Sequence, residues 1–382
     1  MKITRRCLFF VLSSLLAILP AFPQTPDQKF LVFVGTYTHD TNSKGIYAYE
    51  FDVATGKLTP KGLAAATPDP SWLVIHPNGK WAYAANESGK QSAISAFSVD
   101  AKTAKLTLLN QIPALGEDPC YLSFDKTGKF LFAANYTSGN VVVFPILPDG
   151  KLGEHASVVQ DAGVLGPNKE RQEAPHAHWI EPSMDGRLVY VADLGLDELA
   201  SYRFDSTDGK LTPNDPPFTK LAPGAGPRHT IFSSNGKFLY VLGEINSTVT
   251  VLSYDAAKGS LHELQVVPML PGDFHGRNDA AEIALHPNGK WLFASNRGHD
   301  SIAVFAVDPA AGALRPAGEF PTGGKEPRNF VIDPTGRFLL AENQNSNSIV
   351  VFRINPETGA LSQVSIAEGV PSPVCLSFYP AR

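Results

Sequence analysis

The chain has 382 residues, of which 43% are hydrophobic and 18% charged, and its formal net charge is −5. This composition is typical of a soluble protein with a large buried core. A net negative chain gives no electrostatic basis for binding nucleic acid, so we expect no nucleic-acid partner.

The N-terminus has the pattern of a secretory signal peptide. Three basic residues, Lys2, Arg5 and Arg6, precede an apolar run over residues 7–19. Because this run is short for a transmembrane span, we predict a cleaved signal peptide over residues 1–21, with an uncleaved membrane anchor as the alternative. The mature protein is then expected in the periplasm or outside the cell, without stable membrane association. The paired arginines leave Sec and twin-arginine export both open.

The rest of the chain repeats one phrase, which consists of an apolar strand, a turn ending in Gly-Lys or Gly-Arg, and a second apolar strand. Six copies occur, and their turn glycines are 49, 58, 50, 53 and 47 residues apart. A period of about 50 residues built from short strands is typical of a β-propeller. The copies turn at Asn78-Gly79, Thr127-Gly128, Asp185-Gly186, Asn235-Gly236, Asn288-Gly289 and Thr335-Gly336.

Each copy continues into a third and a fourth strand, and the third strand occurs seven times rather than six. The third strands are predicted over residues 46–52, 94–100, 141–147, 199–205, 249–255, 302–308 and 349–355. The mismatch is explained if one blade takes strands from both chain ends, because residues 372–378 match the innermost strand of the other copies and residues 30–36 match the second. Such closure removes two exposed sheet edges.

We therefore predict an all-β fold. It is a seven-bladed β-propeller of four-stranded antiparallel blades over residues 29–382, with the last blade closed by both termini. The regular repeat leaves no room for a second domain.

Two cysteines, Cys120 and Cys375, lie beyond the predicted leader. They fall near corresponding inner-strand positions of blades that are not neighbours, so we expect two buried free thiols rather than a disulfide. The sequence has no Cys-x-x-Cys motif and no metal-type cysteine cluster. We therefore expect neither a bound metal nor another cofactor.

Candidate functional residues should lie where two sets of loops converge at one mouth of the channel. At the start of the innermost strand, the copies carry Ser71, Cys120, His176, Arg228, Ala281, Arg328 and Val374. The next residue in each copy is Trp72, Tyr121, Ala177, His229, Glu282, Asn329 or Cys375. Directly after the second strand, the copies carry Glu87, Tyr136, Leu194, Glu244, Arg297, Gln344 and Tyr37. Arginines and acids concentrate in blades three to six, and such a cluster is costly to bury unless the groups pair or hold an anion.

Two histidines and two insertions fall near the same mouth. His176 and His178 are two residues apart on a predicted strand, so we expect them to face the same side. A His-x-His pair can bind a metal, but no third ligand of matching spacing is evident and no metal site is predicted. Residues 163–173 and 273–279 are insertions before the third and fifth inner strands. We expect both to project over this mouth as walls of a substrate site.

Seven segments carry motifs that can be compared with known families. They are 33–38 (FVGTYT), 171–178 (RQEAPHAH), 191–195 (VADLG), 226–229 (GPRH), 280–283 (AAEI), 295–301 (SNRGHDS) and 327–330 (PRNF). Taken together, they resemble the lactonase family of seven-bladed propellers, typified by propeller-type 6-phosphogluconolactonase and carboxymuconate-lactonizing enzyme. The resemblance covers the whole mature chain.

This resemblance implies an active site of one histidine, two arginines and one glutamate. In this sequence they are His176, Arg228, Arg297 and Glu244. Lactone hydrolysis needs a base that takes a proton from the attacking water and positive charge that stabilises the oxyanion. We assign Glu244 or His176 as the base, and the two arginines as clamps for the oxyanion or a carboxylate. The residues expected to contact substrate are His178, His229, Glu282, Arg328 and Asn329.

The resemblance thus predicts a monomeric lactone hydrolase, similar to 6-phosphogluconolactonase, that opens a small anionic or sugar lactone. Phosphorylated sugar lactones are cytosolic, so an exported enzyme is expected to act on an unphosphorylated lactone or another periplasmic anion. Two alternatives stay open. One is a carboxymuconate-type cycloisomerase, in which the arginines hold a carboxylate while an acid–base residue protonates a double bond. The other is a propeller that only binds a ligand or partner, because many propellers only bind and no Gly-x-Ser-x-Gly motif occurs.

Overall fold

A computed structural model describes residues 28–380, so the predicted leader over residues 1–21 lies outside the described part. The described residues form 28 strands in seven four-stranded antiparallel sheets, arranged as the blades of a ring. The helical elements of this part are two short 3₁₀ turns, Gly89–Gln91 and Gln344–Ser346. Across residues 28–380, no helix has the length and apolar character needed to cross a bilayer. The predicted all-β, seven-bladed propeller is confirmed.

The strands follow the chain in blade order. β1 (Lys29–Thr36), β2 (Gly45–Asp52) and β3 (Lys57–Ala66) belong to blade seven. Blade one contains β4 (Pro70–Ile75), β5 (Trp81–Asn86), β6 (Ala93–Asp100) and β7 (Lys105–Pro113). Blade two contains β8 (Pro119–Phe124), β9 (Phe130–Asn135), β10 (Asn140–Pro145) and β11 (Ser157–Gln160). Blade three contains β12 (Ala177–Pro182), β13 (Leu188–Asp193), β14 (Glu198–Asp205) and β15 (Lys210–Lys220).

The remaining blades repeat this order. Blade four contains β16 (Pro227–Phe232), β17 (Phe238–Gly243), β18 (Thr248–Asp255) and β19 (Ser260–Pro268). Blade five contains β20 (Asp279–Leu285), β21 (Trp291–Arg297), β22 (Ser301–Val307) and β23 (Leu314–Pro321). Blade six contains β24 (Pro327–Ile332), β25 (Phe338–Asn343), β26 (Ser348–Ile354) and β27 (Leu361–Glu368). The last strand, β28 (Pro373–Phe378), returns to blade seven as its innermost strand.

The recurring turn has a local cause that is clear in blade one. The side-chain oxygen of Asn78 accepts a hydrogen bond from the backbone N–H of Lys80 at 2.8 Å, and Gly79 between them has a φ of +67°. This left-handed conformation favours glycine, because a Cβ would clash with the backbone. The second strands β9 and β13 are buried along their whole length, as expected for blades that pack face to face with neighbours on both sides.

Both chain ends build blade seven. β1 pairs antiparallel with β28, and Gly35 lies opposite Cys375. A Cβ on Gly35 would lie only 2.2 Å from the carbonyl oxygen of Pro70, so this close approach requires glycine. Beyond β28, the hydroxyl of Tyr379 donates a hydrogen bond to the carbonyl of Gly79 at 2.7 Å, which ties the C-terminal segment to blade one. The predicted closure by both termini is confirmed.

The two cysteines of the described part are free and buried, as predicted. Cys120 lies on β8 and Cys375 on β28, which are the innermost strands of blades two and seven. Burial is the main cause that raises the pKa of both thiols, so both are neutral at physiological pH.

The innermost strand of blade three begins later than the sequence comparison places it. In β12, Ala177 lies opposite Asp193, the last residue of β13. In blade four, Pro227 takes the equivalent place opposite Gly243, the last residue of β17. Ala177 is therefore the counterpart of the proline that leads the innermost strand in other blades.

This register corrects the assignment of the histidines. His178, the residue after Ala177, is the structural counterpart of Arg228, and the placement of His176 at that position is wrong. Pro175 resembles the leading proline of the other blades, but it precedes the strand by two residues. The argument that both histidines face the same side of one strand also fails, because His176 lies before β12.

Closure generates a stability prediction. Removing residues 373–382 deletes β28 and leaves β1 with an unpaired edge. We expect the truncated protein to lose its cooperative melting transition, because the inner faces of blades one and six lose the strand packed between them. Circular dichroism melting measures this. A variant that ends at Pro380 keeps all of β28 and should melt like the full chain; equal melting of both truncations would contradict the closure argument.

Candidate active site

A small cavity of about 150 Å³ lies where residues of blades one to six converge. It is called the inner cavity below. Its lining residues are Glu87, Cys120, Tyr136, Arg171, His178, Glu244, Arg297 and Arg328. All of them except Arg171 occupy one of two repeat positions, either the start of an innermost strand or the end of a second strand, where Arg297 is the last residue of β21 and the counterpart of Glu87. The propeller repeat therefore brings these side chains together from separate blades.

Glu244 is the charged centre of this cluster. It follows β17, and its buried carboxylate contacts three guanidinium groups. Arg228 Nε lies 2.9 Å from Oε2, and Arg297 Nη2 lies 3.0 Å from the same oxygen. Arg171 Nη2 donates a short hydrogen bond to Oε1. One carboxylate thus links blades four and five with the loop before blade three.

The charges around Glu244 fix its protonation state. Burial alone would favour the neutral acid, but Arg297, Arg228 and Arg171 together overcome it and lower the pKa of the carboxyl to about 2. Glu244 is therefore ionised throughout the physiological range. A carboxylate of such low basicity is a poor proton acceptor and a good anchor for cations.

Arg171 lies in the long loop before blade three and joins three other segments. Its Nη1 donates a hydrogen bond to Asp279 Oδ1 at 2.8 Å, at the start of β20. Its Nη2 lies 3.4 Å from the hydroxyl of Tyr136 and also contacts Glu244. The neighbouring Gln172 is buried and donates to the carbonyl of Leu194 at 2.8 Å, which holds the loop on blade three. The two insertions predicted as walls therefore meet above the site.

A second charged pair completes the cavity on the side of blades one and six. Arg328 Nη2 lies 3.6 Å from Glu87 Oε2, and its guanidinium lies 5.3 Å from the ring centroid of Tyr37. Tyr37 donates a hydrogen bond to Glu87 at 2.9 Å. This is the one side-chain ion pair that Arg328 makes within residues 28–380. N–H donors of Arg328 therefore remain for a ligand.

His178 is the one imidazole that lines the inner cavity. Burial first, and then the charge of Arg228, hold the pKa of His178 well below its ordinary value of 6.5. Its Nδ1 is buried and has no hydrogen-bond partner within the described part of the chain. Its ring packs edge-on against Tyr136 and His229, with centroid distances of 5.5 and 5.1 Å. The site therefore contains a neutral imidazole with an unused nitrogen.

His176 has a different environment. Its Nδ1 lies 3.0 Å from the carbonyl oxygen of Tyr136, and its Nε2 lies 3.2 Å from Glu173. Its ring stacks on Tyr136 with a centroid distance of 4.4 Å and an interplanar angle of 11°. Both nitrogens are thus engaged, and His176 is not part of the cavity lining. It supports Tyr136, whose other face is available to the site.

Three predicted substrate contacts lie elsewhere in the channel. His229 Nδ1 is 3.2 Å from the carboxylate of Glu282, and Asn329 donates to the same carboxylate at 2.6 Å. Glu282 and Asn329 line a different pocket, together with Trp72 and Tyr121. The structure does not bring these three residues into the inner cavity, although it places His178 and Arg328 there. The difference arises because adjacent residues of the innermost strand point to different parts of the channel.

The inner cavity carries a net positive charge. Three lining residues carry guanidiniums, Arg171, Arg297 and Arg328, and two carry carboxylates, Glu87 and Glu244, which leaves a formal charge of +1. Such a cavity favours an anion or a group that becomes anionic during reaction. Within residues 28–380, no three His, Cys, Asp or Glu side chains are grouped to hold a metal ion.

A buried carboxyl pair holds both ends of the loop that carries Arg171. Asp161 follows β11 at the start of the loop, and Asp193 ends β13. Asp193 Oδ1 accepts a hydrogen bond from the backbone N–H of His176, where the loop ends, at 2.9 Å. Asp161 Oδ1 accepts one from the hydroxyl of Tyr202 at 3.0 Å.

The two carboxyl groups face each other inside the protein. They interact directly, and the Oδ2 of each has no other hydrogen-bond partner among the described residues. Burial first, and then the charge of Asp193, raise the pKa of Asp161 well above its ordinary value of 3.8. Glu198, which pairs with Lys220 at 2.7 Å, adds to this effect. A proton shared between Asp161 and Asp193 would satisfy both oxygens.

Comparison with known proteins agrees with this fold. The family model described as "Lactonase, 7-bladed beta-propeller" matches residues 31–378. The chain therefore belongs to the lactonase family of seven-bladed β-propellers. It is 37% identical over 350 residues to a 6-phosphogluconolactonase of Bacillus subtilis, which covers 92% of this chain and 98% of the relative.

Solved structures give the same result. A putative 6-phosphogluconolactonase of Bacteroides fragilis is 39% identical, with a TM-score of 0.86 over 94% of this chain and 99% of its own. A periplasmic gluconolactonase of Pseudomonas aeruginosa is 34% identical, with a TM-score of 0.87 over 92% of this chain and 99% of its own. Both likenesses extend over the whole ring.

Sequence reasoning did not select Arg171, Tyr136, Glu87 or Cys120 as site residues. Tyr136, Glu87 and Cys120 occupy the repeat positions that supply the cavity. They would have been found if every residue at these positions had been predicted to line the site. Arg171 had no such signal, because its loop occurs in one blade alone. Its one sequence cue was its place at the start of the RQEAPHAH segment.

The carboxyl pair generates a prediction for stability against pH. The unfolded state releases the proton of Asp161 near pH 3.8, whereas the folded state retains it to higher pH. The protonated Asp161 therefore contributes its full stabilisation to the folded state below pH 3.8. This contribution is lost as the pH rises through the raised pKa of Asp161 in the folded protein. An Asp161→Asn variant can accept from Tyr202 and donate to Asp193 at every pH. We compare the free energy of unfolding of the variant with that of the parent. We expect this difference to be more favourable to the variant at pH 8 than at pH 5 by at least about 1 kcal/mol.

Urea denaturation at the two pH values measures the change. Asp273→Asn, at an exposed aspartate, is the matched control. Its free energy of unfolding should change between pH 5 and pH 8 by the same amount as that of the parent. An Asp161→Asn variant that is destabilised equally at pH 5 and pH 8 would contradict the shared proton.

Proposed function

We propose that the protein hydrolyses sugar-acid lactones at the inner cavity. The observation that carries this proposal is a neutral imidazole, His178, which lines a cavity of net positive charge and whose buried Nδ1 has no hydrogen-bond partner among residues 28–380. Hydrolysis needs both features, because a base must take a proton from water and cations must stabilise the oxyanion. The names of the relatives in Bacillus subtilis and Pseudomonas aeruginosa support the same reaction class.

The steps follow from this arrangement. A water molecule attacks the lactone carbonyl carbon while His178 Nδ1 accepts one of its protons. The carbonyl oxygen becomes an oxyanion, which N–H donors of Arg328 and Arg297 stabilise. The bond between the carbonyl carbon and the ring oxygen then breaks, and the imidazolium returns its proton to the leaving oxygen. The product is an open-chain hydroxy acid, whose carboxylate remains beside the guanidiniums.

Glu244 serves in this proposal as the organiser of the arginines. Both of its carboxylate oxygens are engaged by guanidiniums, so neither is free to take a proton from water. Its three ion pairs hold Arg171, Arg228 and Arg297 in fixed positions, so little reorganisation is needed when the oxyanion forms. The carboxylate of Glu244 and both ring nitrogens of His176 have partners, whereas His178 lines the cavity and its Nδ1 has none among the described residues.

We also propose that the protein is exported and acts as a monomer. The signal-peptide pattern over residues 1–21 supports export, as does the likeness to a periplasmic gluconolactonase. The inner cavity is built from residues of a single chain, so the proposed reaction requires no partner subunit. Fractionation of a tagged full-length protein and its mass by light scattering test these two points.

The two histidines give a direct mutational test. With glucono-1,5-lactone as substrate, we expect His178→Gln to lower kcat at least about 100-fold, because it removes the proton acceptor. We expect His176→Gln to lower kcat less than about tenfold, because it only loosens Tyr136. The rate is measured by proton release in weak buffer, after subtraction of spontaneous hydrolysis.

Glu263→Gln, at an exposed residue of β19, is the control and should match the parent. Melting curves establish that all variants are folded. Equal losses in the two histidine variants would count against His178 as the base. Absence of any enzymatic rate in the parent would refute lactone hydrolysis.

The shifted pKa of His178 predicts the pH profile. The neutral imidazole is the active form, so the rate falls only as the pH drops through the pKa of His178, which lies well below 6.5. We expect kcat/KM to stay constant from pH 8 to pH 6.5. A histidine of ordinary pKa would instead have lost half of its activity at pH 6.5, and such a midpoint would contradict the assignment.

A further inference from the structure

A second cavity of about 400 Å³ adjoins the inner cavity, and Arg171 lines both. It is called the outer pocket below. Its walls come from the loop before blade three, the turn after β17 and the segment before β20. Its charged lining residues are Glu170, Arg171, Arg277 and Asp279. Its other polar lining residues include Asn168, Asn246, Ser247 and Asn278. A lactone that reaches into the inner cavity would extend past Arg171 into this pocket.

The two spaces differ in charge. The lining of the inner cavity has a formal charge of +1, with Arg171 counted there. In the outer pocket, two carboxylates, Glu170 and Asp279, face one further guanidinium, Arg277, which leaves −1. Lys169 is exposed and is not part of the lining. Positive charge is therefore concentrated where the lactone carbonyl reacts, and it does not extend into the adjoining pocket.

The cations of the outer pocket are already paired. Asp279 accepts from Arg171 at 2.8 Å and lies 3.1 Å from Arg277 Nε, so one carboxylate bridges both guanidiniums. Arg277 is 80% exposed, which weakens its attraction for any ligand through solvent screening. A phosphate dianion in this pocket would face two carboxylates and compete with Asp279 for its cations. Hydroxyl groups, by contrast, can bond to carboxylates, amides and guanidiniums alike.

We infer that the outer pocket is a subsite for the uncharged, hydroxyl-bearing part of the lactone, and that Glu170 and Asp279 disfavour a phosphomonoester there. The inference rests on the proposed function, because it takes the inner cavity as the place of the lactone carbonyl. It assigns the substrate class as unphosphorylated aldonolactones. The discrimination arises from electrostatics, so a change of charge without a change of fold tests it.

Glu170→Lys is the decisive variant, because the Glu170 side chain is exposed and the residue belongs to the outer pocket alone. We compare kcat/KM for glucono-1,5-lactone and its 6-phosphate. The parent should prefer the unphosphorylated lactone by at least about tenfold. Glu170→Lys should lower KM for the phosphorylated lactone about tenfold at low salt, so that the ratio of kcat/KM for the two lactones shifts toward the phosphorylated one. The effect should shrink at 0.5 M salt.

Glu263→Lys is the matched control, because it makes the same charge change on an exposed residue of β19 away from both cavities. The ratio of kcat/KM for the two lactones should be the same in this variant as in the parent. The inference is overturned if the parent uses both lactones equally or prefers the phosphorylated one. It is also overturned if Glu170→Lys and Glu263→Lys shift the ratio alike.

Calorimetric binding of gluconate and 6-phosphogluconate separates this inference from the proposed reaction. These open-chain acids test the subsite without turnover. The subsite is supported if the parent binds gluconate more tightly than 6-phosphogluconate and Glu170→Lys reduces this preference. If the same protein hydrolyses neither lactone, only the proposed reaction fails. Failure of both acids to bind, or tighter binding of the phosphorylated acid by the parent, overturns the subsite.

Discussion

The inner cavity depends on one buried interaction, the ionised carboxylate of Glu244 held among three guanidiniums. Burying a charge costs several kcal/mol unless partners surround it, and removing one partner leaves the others uncompensated. Glu244 meets Arg228 of its own blade, Arg297 of the next blade and Arg171 of a loop two blades from the latter. The cluster therefore forms only when blades four and five and the loop before blade three pack together, so no single blade can build it.

The ring explains how such a cluster arises from a repetitive sequence. Each blade presents its first inner residue and the residue after its second strand at the same mouth, so side chains far apart in sequence converge. About half of these positions carry small, apolar or aromatic residues, and the charged residues at the others meet. The close approach of strands in the closing blade restricts which residues fit. At Gly35, a Cβ would lie 2.5 Å from the sulfur of Cys375.

The limits of sequence inference follow from the same geometry. Blade count and closure were predictable because strands and turns recur with a fixed period, and Arg228, Arg297 and Glu244 were found as exceptions to it. The histidine was misplaced because Pro175 mimics a leading proline, and only the pairing of Ala177 with Asp193 reveals the register. The protonation states of Glu244 and His178 could not be read from sequence, since they depend on burial and on charges from other blades.

The separation of charge between the two cavities links binding to turnover. In the proposed reaction a neutral lactone becomes a monoanionic acid, so a positive inner cavity would stabilise the transition state and would also attract the product. If the whole region were positive, the product would be held at both ends. Acidic groups at Glu170 and Asp279 confine the attraction to the reacting end, where Glu244 already neutralises part of it. The carboxylates near the arginines thus limit product affinity while they hold the guanidiniums in place for the oxyanion.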